Sequence, residues 1–268
     1  MKTYFVDSFT NQQFKGNPAA VCLAESDMDS GTMQNIATEI GFSETAFIKK
    51  ISGNTYSIKF YTPKKEIPLC GHATLAASKI VFDTTGIEDI NFINIESVKL
   101  KITKADGKIV MQFPVYDTIA IDVTDSMLNA IGISQTVNTR FSSKNKIILI
   151  EINDSDTLAG LRPDFAALIN SYDGINGVLV TAQSNNPDFD FHYRYFWPWA
   201  GTNEDPVTGG VQTFLTKYWA TKLNKNKLKA FQSSMRTGMM TTELVGDKVF
   251  IYGDAVTVFE GAFINEMR

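Results

Sequence analysis

Apolar positions along this chain recur mostly at every second residue or in short unbroken blocks, the patterns of strands buried on one or both faces. The first half supplies such segments at 2–9, 19–23, 44–50, 56–62, 92–97 and 108–115. The second half adds 145–152, 177–183, 189–199, 241–253 and 255–263. Helical spacing is confined to a few windows. DSGTMQNIATEIG at 29–41 opens on a capping Asp and closes on Gly, and DSMLNAIG (125–132) and RPDFAALINSY (162–172) carry similar signals. Two further windows are apolar on nearly every side, which predicts helices enclosed by sheet rather than lying on a surface.

Those two windows are copies of one pattern. EIPLCGH at 66–72 aligns without gaps on EDPVTGG at 204–210, pairing Glu66 with Glu204, Pro68 with Pro206 and Gly71 with Gly209. Beyond the turn, Ala73, Ala76, Ala77, Ile80 and Val81 hold the i, i+3, i+4, i+7, i+8 positions of a buried helical face. Val211, Phe214, Leu215, Tyr218 and Trp219 hold the same offsets. An aromatic, partly alternating strand segment precedes each turn: YSIKFYT in one case, FHYRYFWPW in the other. A separation of 138 positions in a chain of 268 means two similar domains, since solenoid repeats are far shorter. The division is expected at the polar stretch 117–125, giving domains 1–117 and 118–268. The closing strand, about 256–268, is a candidate to return to the first domain.

Composition narrows the function. At 44% apolar and 20% charged the chain is ordinary for a globular protein. The start, MKTYFVDSFT, has no continuous apolar run, and no segment reaches the length of a membrane span, so neither signal peptide nor membrane partner is expected. Two cysteines, Cys22 and Cys70, make no disulfide framework and fit a reducing, cytoplasmic setting. A net charge of −4 argues against broad nucleic-acid binding. With only His72 and His192 available, and no closely spaced ligand partner in sequence, no metal site is expected.

The repeated turn has a chemistry of its own. A helix start exposes unpaired N–H groups and partial positive charge, and glycine there lets a ligand approach the backbone. Gly71 and His72 at one start, with Gly209 and Gly210 at the other, would hold a small anion such as a carboxylate. Asp205 also reads as an ordinary carboxylate at a helix start, and His192 as a structural residue on an aromatic strand.

FKGNPAAVCL, GFSETAFI, FYTPKKEIPLCGHATLAAS, NEDPVTGGVQTFL and VFIYGDAVTVFEGAF together resemble the phenazine-biosynthesis isomerase (PhzF-like) family, in order, from about Asp7 to the C-terminus. The resemblance implies the diaminopimelate epimerase-like fold: two pseudo-symmetric α/β (α+β) domains, each a curved, mostly antiparallel sheet or barrel around a central helix. It implies a homodimer that acts on a small anionic metabolite with neither metal nor organic cofactor. It makes Glu44, in the S-E-T motif, the catalytic acid/base, with His72 and Asp205 holding or polarising substrate and Asn17 near the site. One departure stands out: Gly210 occupies a position that is often serine in this family. For Glu44 to serve as base, its pKa is expected to rise toward neutrality through burial.

Cys70 supplies a rival reading. In related amino-acid epimerases a cysteine at each helix start acts as one of two opposing bases, and a thiol so placed ionises more easily. The internal alignment puts Thr208 opposite Cys70, and threonine has no comparable acidity. The one-base isomerase is therefore preferred, with an epimerase or racemase using Cys70 as one alternative and a non-catalytic binding or scaffold protein as another. Cys22, in an apolar block, reads as core.

Overall fold

A computed structural model describes residues 1–264. Two compact units emerge, one from Met1–Gln112 joined by the chain from Phe250 on, the other from Phe113–Val249. The change of unit therefore falls inside the strands Lys108–Pro114 and Lys248–Gly253 rather than in the polar stretch 117–125.

In the first unit, strand Lys2–Ser8 pairs antiparallel with both Asn17–Leu23 and Ala255–Ala262. Asn17–Leu23 runs parallel to Thr45–Ser52, and the helix Ser30–Ile40 makes the crossover. Thr45–Ser52 turns back into Thr55–Tyr61, which runs parallel to Asp89–Ile93, and the helix Gly71–Thr85 makes that crossover. The second unit repeats the scheme. Ile147–Glu151 lies parallel to Gly177–Gln183, with short helices Ser155–Gly160 and Phe165–Ile169 between. Gly177–Gln183 pairs antiparallel with Phe191–Trp197, which runs parallel to Lys227–Gln232 across the helix Gln212–Leu223. Both long helices thus span equivalent strand pairs, as the repeat in the sequence requires.

Their burial follows from composition. In Gly71–Thr85 every residue from His72 to Ser78 is buried, along with Ile80, Val81 and Phe82. Small side chains (Ala73, Ala76, Ala77) admit close strands, and the hydroxyls of Thr74 and Ser78 bond back to the carbonyls of Cys70 and Thr74 at 2.7 Å each. Buried polar groups are tolerated when so satisfied. In Gln212–Leu223 the fully buried Trp219 donates its indole N–H to Thr181 Oγ1 at 2.9 Å and stacks on Phe191. The helices end on left-handed residues, Gly86 (φ 74°) and Asn224 (φ 50°).

Among the strands of five or more residues, Lys99–Ala105, Asn138–Ser142 and Lys227–Gln232 lie outside the segments that the sequence pattern predicts. KLKAFQ does alternate, but its lysines disguise a strand that buries only Leu228, Ala230 and Gln232. RPDFAALINSY yields only the helix Phe165–Ile169, because Asp164, following Pro163, caps it late by accepting from the Ala167 amide. Cys22 is fully buried, and burial pushes its thiol up to about 11. No helix of the described residues is long and apolar enough to cross a membrane.

Candidate active site

Glu44 sits one residue before strand Thr45–Ser52, in the turn that follows the Ser30–Ile40 helix and its Gly41 cap. Its carbonyl accepts from the Ala20 amide, which ties the turn to the strand carrying Asn17. Helix Gly71–Thr85 delivers His72 to the same place, and Ser8 fixes that turn by donating its hydroxyl to the His72 carbonyl at 2.8 Å. His72 Nε2 lies 3.1 Å from Glu44 Oε2, with side chains only 8% and 9% exposed. On the other edge of the ring, Nδ1 lies 3.2 Å from the fully buried Asn17 amide and 3.4 Å from the Cys70 sulfur. Folding therefore brings Asn17, Glu44, Cys70, Gly71 and His72 into one cluster within the first unit.

The charges are set by the pair. Burial opposes ionisation of Glu44, but the His72 charge and the hydrogen bonds from His72 and Ser43 outweigh it and hold the carboxyl below its ordinary range. Burial likewise opposes a charged His72, yet Cys70 and Glu44 override it and raise the imidazole well above its usual value. Cys70 is the opposite case: burial pushes its thiol up despite the favourable helix start. The expectation that Glu44 rises toward neutrality is thus corrected for the resting protein. A buried carboxylate one hydrogen bond from an imidazole is a stabilised anion, and it becomes a stronger base when that imidazole is engaged elsewhere.

The cluster also changes the reasoning about metals. Ligand atoms of Glu44, Cys70 and His72 all lie within 4.8 Å of one another, a spacing that could grip a divalent ion. Sequence spacing hides this grouping because Glu44 and His72 come from different elements. In the structure the three groups already satisfy one another, which suits proton transfer.

In the second unit the DPVTGG turn is held from several sides. Asp205 donates its amide to the Tyr195 carbonyl at 3.1 Å, and its side chain accepts from the Thr208 hydroxyl. Gln232, fully buried, accepts from the Thr208 amide at 2.7 Å and donates to the Asp205 carbonyl at 2.6 Å. Tyr193 adds a bond from its hydroxyl to the Thr208 carbonyl at 3.1 Å. The regular helix begins at Gln212, later than the sequence pattern suggests, and a tight turn closed by Gln212 N–H to Gly209 O at 3.0 Å leads into it. The amides of Gly209 and Gly210 precede that first bond, as those of Gly71 and His72 precede the bond from Thr74 N–H to Cys70 O at 3.0 Å. Gln232 and Tyr193 escaped sequence reasoning. The available signal was a buried-type strand position ending in a long amide, which needs two partners somewhere. His192 is remote in character: Nδ1 lies 3.1 Å from Ser233 Oγ, its ring packs on Phe189 and Phe231, and burial lowers its pKa.

A family model described as phenazine biosynthesis-like protein matches residues 6–261. An uncharacterized isomerase of Halalkalibacterium halodurans is 38% identical, covering 97% of this chain and 97% of that protein. The crystal structure of a PhzF-family phenazine biosynthesis protein from Enterococcus faecalis superposes with a TM-score of 0.91 at 36% identity, covering 98% of this chain and 99% of that one. At the level of fold alone, a probable proline racemase from Agrobacterium radiobacter K84 matches with a TM-score of 0.62 at 10% identity, covering 99% of this chain and 93% of that one. These likenesses agree with the diaminopimelate epimerase-like fold. The chain belongs to the phenazine biosynthesis-like (PhzC–PhzF) family and is an enzyme of the isomerase kind.

Proposed function

We propose that this enzyme moves a proton within a small carboxylate-bearing metabolite, with Glu44 as the single acid/base. The observation that carries the reading is the buried Glu44–His72 pair, 3.1 Å apart at a helix start. A substrate oxygen arriving at the helix start competes for the Nε2–H of His72. Glu44 then loses its main stabilising partner while burial persists, and its basicity rises. Its carboxylate takes a proton from a carbon beside an activating carbonyl or carboxyl group, and the electron pair moves toward that oxygen. His72 and the amides of Gly71 and His72 stabilise the developing charge. Glu44 returns the proton to a different carbon of the same molecule, so atoms and charge balance with no external reagent. In this reading Asn17 orients His72. A homodimer is part of the same proposal, and sedimentation tests it.

The experiment is incubation with a panel of small carboxylic and amino acids in deuterated water, read by NMR and mass spectrometry, with the wild type beside Glu44→Gln. A substrate should isomerise while retaining part of its original hydrogen. The variant should still bind it yet turn it over at least a hundred- to ten-thousand-fold more slowly, as roughly expected for loss of a sole general base. Wild-type rates in Glu44→Gln would end the proposal. Complete solvent deuterium in the product of a single turnover would leave Glu44 as a base but overturn the shielded one-base step. The contact of Cys70 with His72 at 3.4 Å keeps the epimerase reading in view, and near-total inactivity of Cys70→Ser with Glu44 intact would favour it.

A further inference from the structure

The second unit holds a cavity of about 500 Å³ on the flank of helix Gln212–Leu223, away from the DPVTGG turn that leads into it. Its apolar wall is Phe214, Tyr218 and Val137, and its charged wall is Arg140, Lys217 and Lys222. The size is that of a small-molecule site. The internal repeat makes its existence informative. Phe214 and Tyr218 occupy the positions of Ala76 and Ile80 in the first unit's helix, and Ile80 is 2% exposed against its sheet. The second unit leaves Tyr218 half-buried at the same place.

The polar groups of the cavity fall into two kinds. Glu151 is a buried carboxylate that accepts from the Tyr218 hydroxyl and from Lys222 Nζ, and Asn138 donates to the Tyr218 oxygen at 3.1 Å. Burying an acid is costly unless it is paired, and here it is paired, so it does not repel an incoming anion. Lys217 meets Asp117 at the open rim, where such pairs are weak. Arg140 differs. It gives Nε to Thr118 Oγ1 at 2.6 Å and one terminal nitrogen to the Thr118 carbonyl at 2.5 Å, and among the described residues it has no carboxylate partner. Thr118 thus fixes the guanidinium plane while the other terminal nitrogen stays available. Three cations against two carboxylates leave the cavity with an excess positive charge beside an aromatic floor.

We propose that this cavity is a second small-molecule site, built for a monoanion with a flat apolar body, such as an aromatic carboxylate whose charge meets Arg140 and whose ring lies against Phe214 and Tyr218. Its lining includes none of the residues of the Glu44 cluster, and the proposal does not depend on their chemistry. Because Phe214 and Tyr218 belong to the helix that follows Gly209 and Gly210, an occupant braces the element that carries that turn.

The test uses 4-fluorobenzoate as probe and 4-fluorobenzamide as its neutral control, titrated by fluorine NMR. The acid should bind saturably, and the amide at least about tenfold more weakly, the loss expected for one charge-assisted hydrogen bond. Arg140→Gln should weaken the acid by a similar factor. Val137→Trp, at an exposed wall position, should block the cavity without touching Arg140, which keeps the test valid if Arg140→Gln folds poorly. The proposal is overturned by the absence of saturation up to roughly 10 mM, by equal binding of acid and amide, or by binding kept at full strength in both Arg140→Gln and Val137→Trp. A change of oligomeric state in Val137→Trp would assign the cavity to a second copy of the chain and overturn it equally.

Discussion

Replacing His72 with Gln should expose how much the Glu44 pair contributes. The amide retains an N–H donor but removes the charge that holds the buried Glu44 carboxylate ionised. At 3.1 Å and an effective dielectric constant of about 20, the gross attraction is about 5 kcal/mol. Removing one partner of a buried pair typically costs about 3–5 kcal/mol, because the remaining charge stays desolvated. In the wild type, the depressed Glu44 contributes stability above its unfolded value, lost as pH falls through its folded value. The raised His72 contributes stability below its unfolded value, lost as pH rises through its folded one. The pair is therefore fully effective between about pH 4.3 and 6.5. In His72→Gln burial is opposed only by the remaining hydrogen-bond donors, so the penalty should already be present near pH 4.5, where the pair is intact in the wild type, and should grow toward pH 6.5. Urea denaturation of wild type, His72→Gln, Glu44→Gln and the double variant at both pH values closes the cycle. A coupling of at least about 1.5 kcal/mol at pH 6.5 is expected; additivity within about 0.5 kcal/mol would refute the pair as described.

Cys70→Ser should keep turnover within about tenfold of wild type, since the thiol is raised by burial and only flanks His72; steady-state rates on an identified substrate decide this. Gln232→Leu strands the Thr208 amide and the Asp205 carbonyl, at about 1–3 kcal/mol for each group left unsatisfied, and should lower the urea midpoint; an unchanged midpoint removes Gln232 as the clamp of that turn. Arg194→Gln breaks a two-point pair with Glu204 at 2.7 and 2.8 Å, of which Arg194 is 6% exposed, and should cost several kcal/mol, roughly 3–5, in thermal or urea unfolding. Gly86→Ala meets no atom within 4 Å of the new Cβ, so only the left-handed backbone at φ 74° resists it, and a loss of about 1–2 kcal/mol is expected; a neutral result would mean the helix end readjusts.

The two-fold repeat, the buried character of both central helices and the family itself were legible in the sequence, because these rest on local spacing. Ala73, Ala76, Ala77, Ile80 and Val81 declare an enclosed helix at fixed offsets, and Val211 through Trp219 repeat them. The motifs around Glu44, His72 and Asp205 could likewise be found without coordinates. Strand partners could not: Lys227–Gln232 hides behind exposed lysines, and its pairing with Phe191–Trp197 is fixed by a helix that separates them in sequence. Nor could the electrostatics of Glu44. Sequence suggested that burial would raise its pKa, and burial does push that way, but a histidine from another element reverses the outcome at 3.1 Å. Local propensity acts over a few residues along the chain, whereas desolvation and charge pairing act through space, so only the folded protein decides which charge stands beside which.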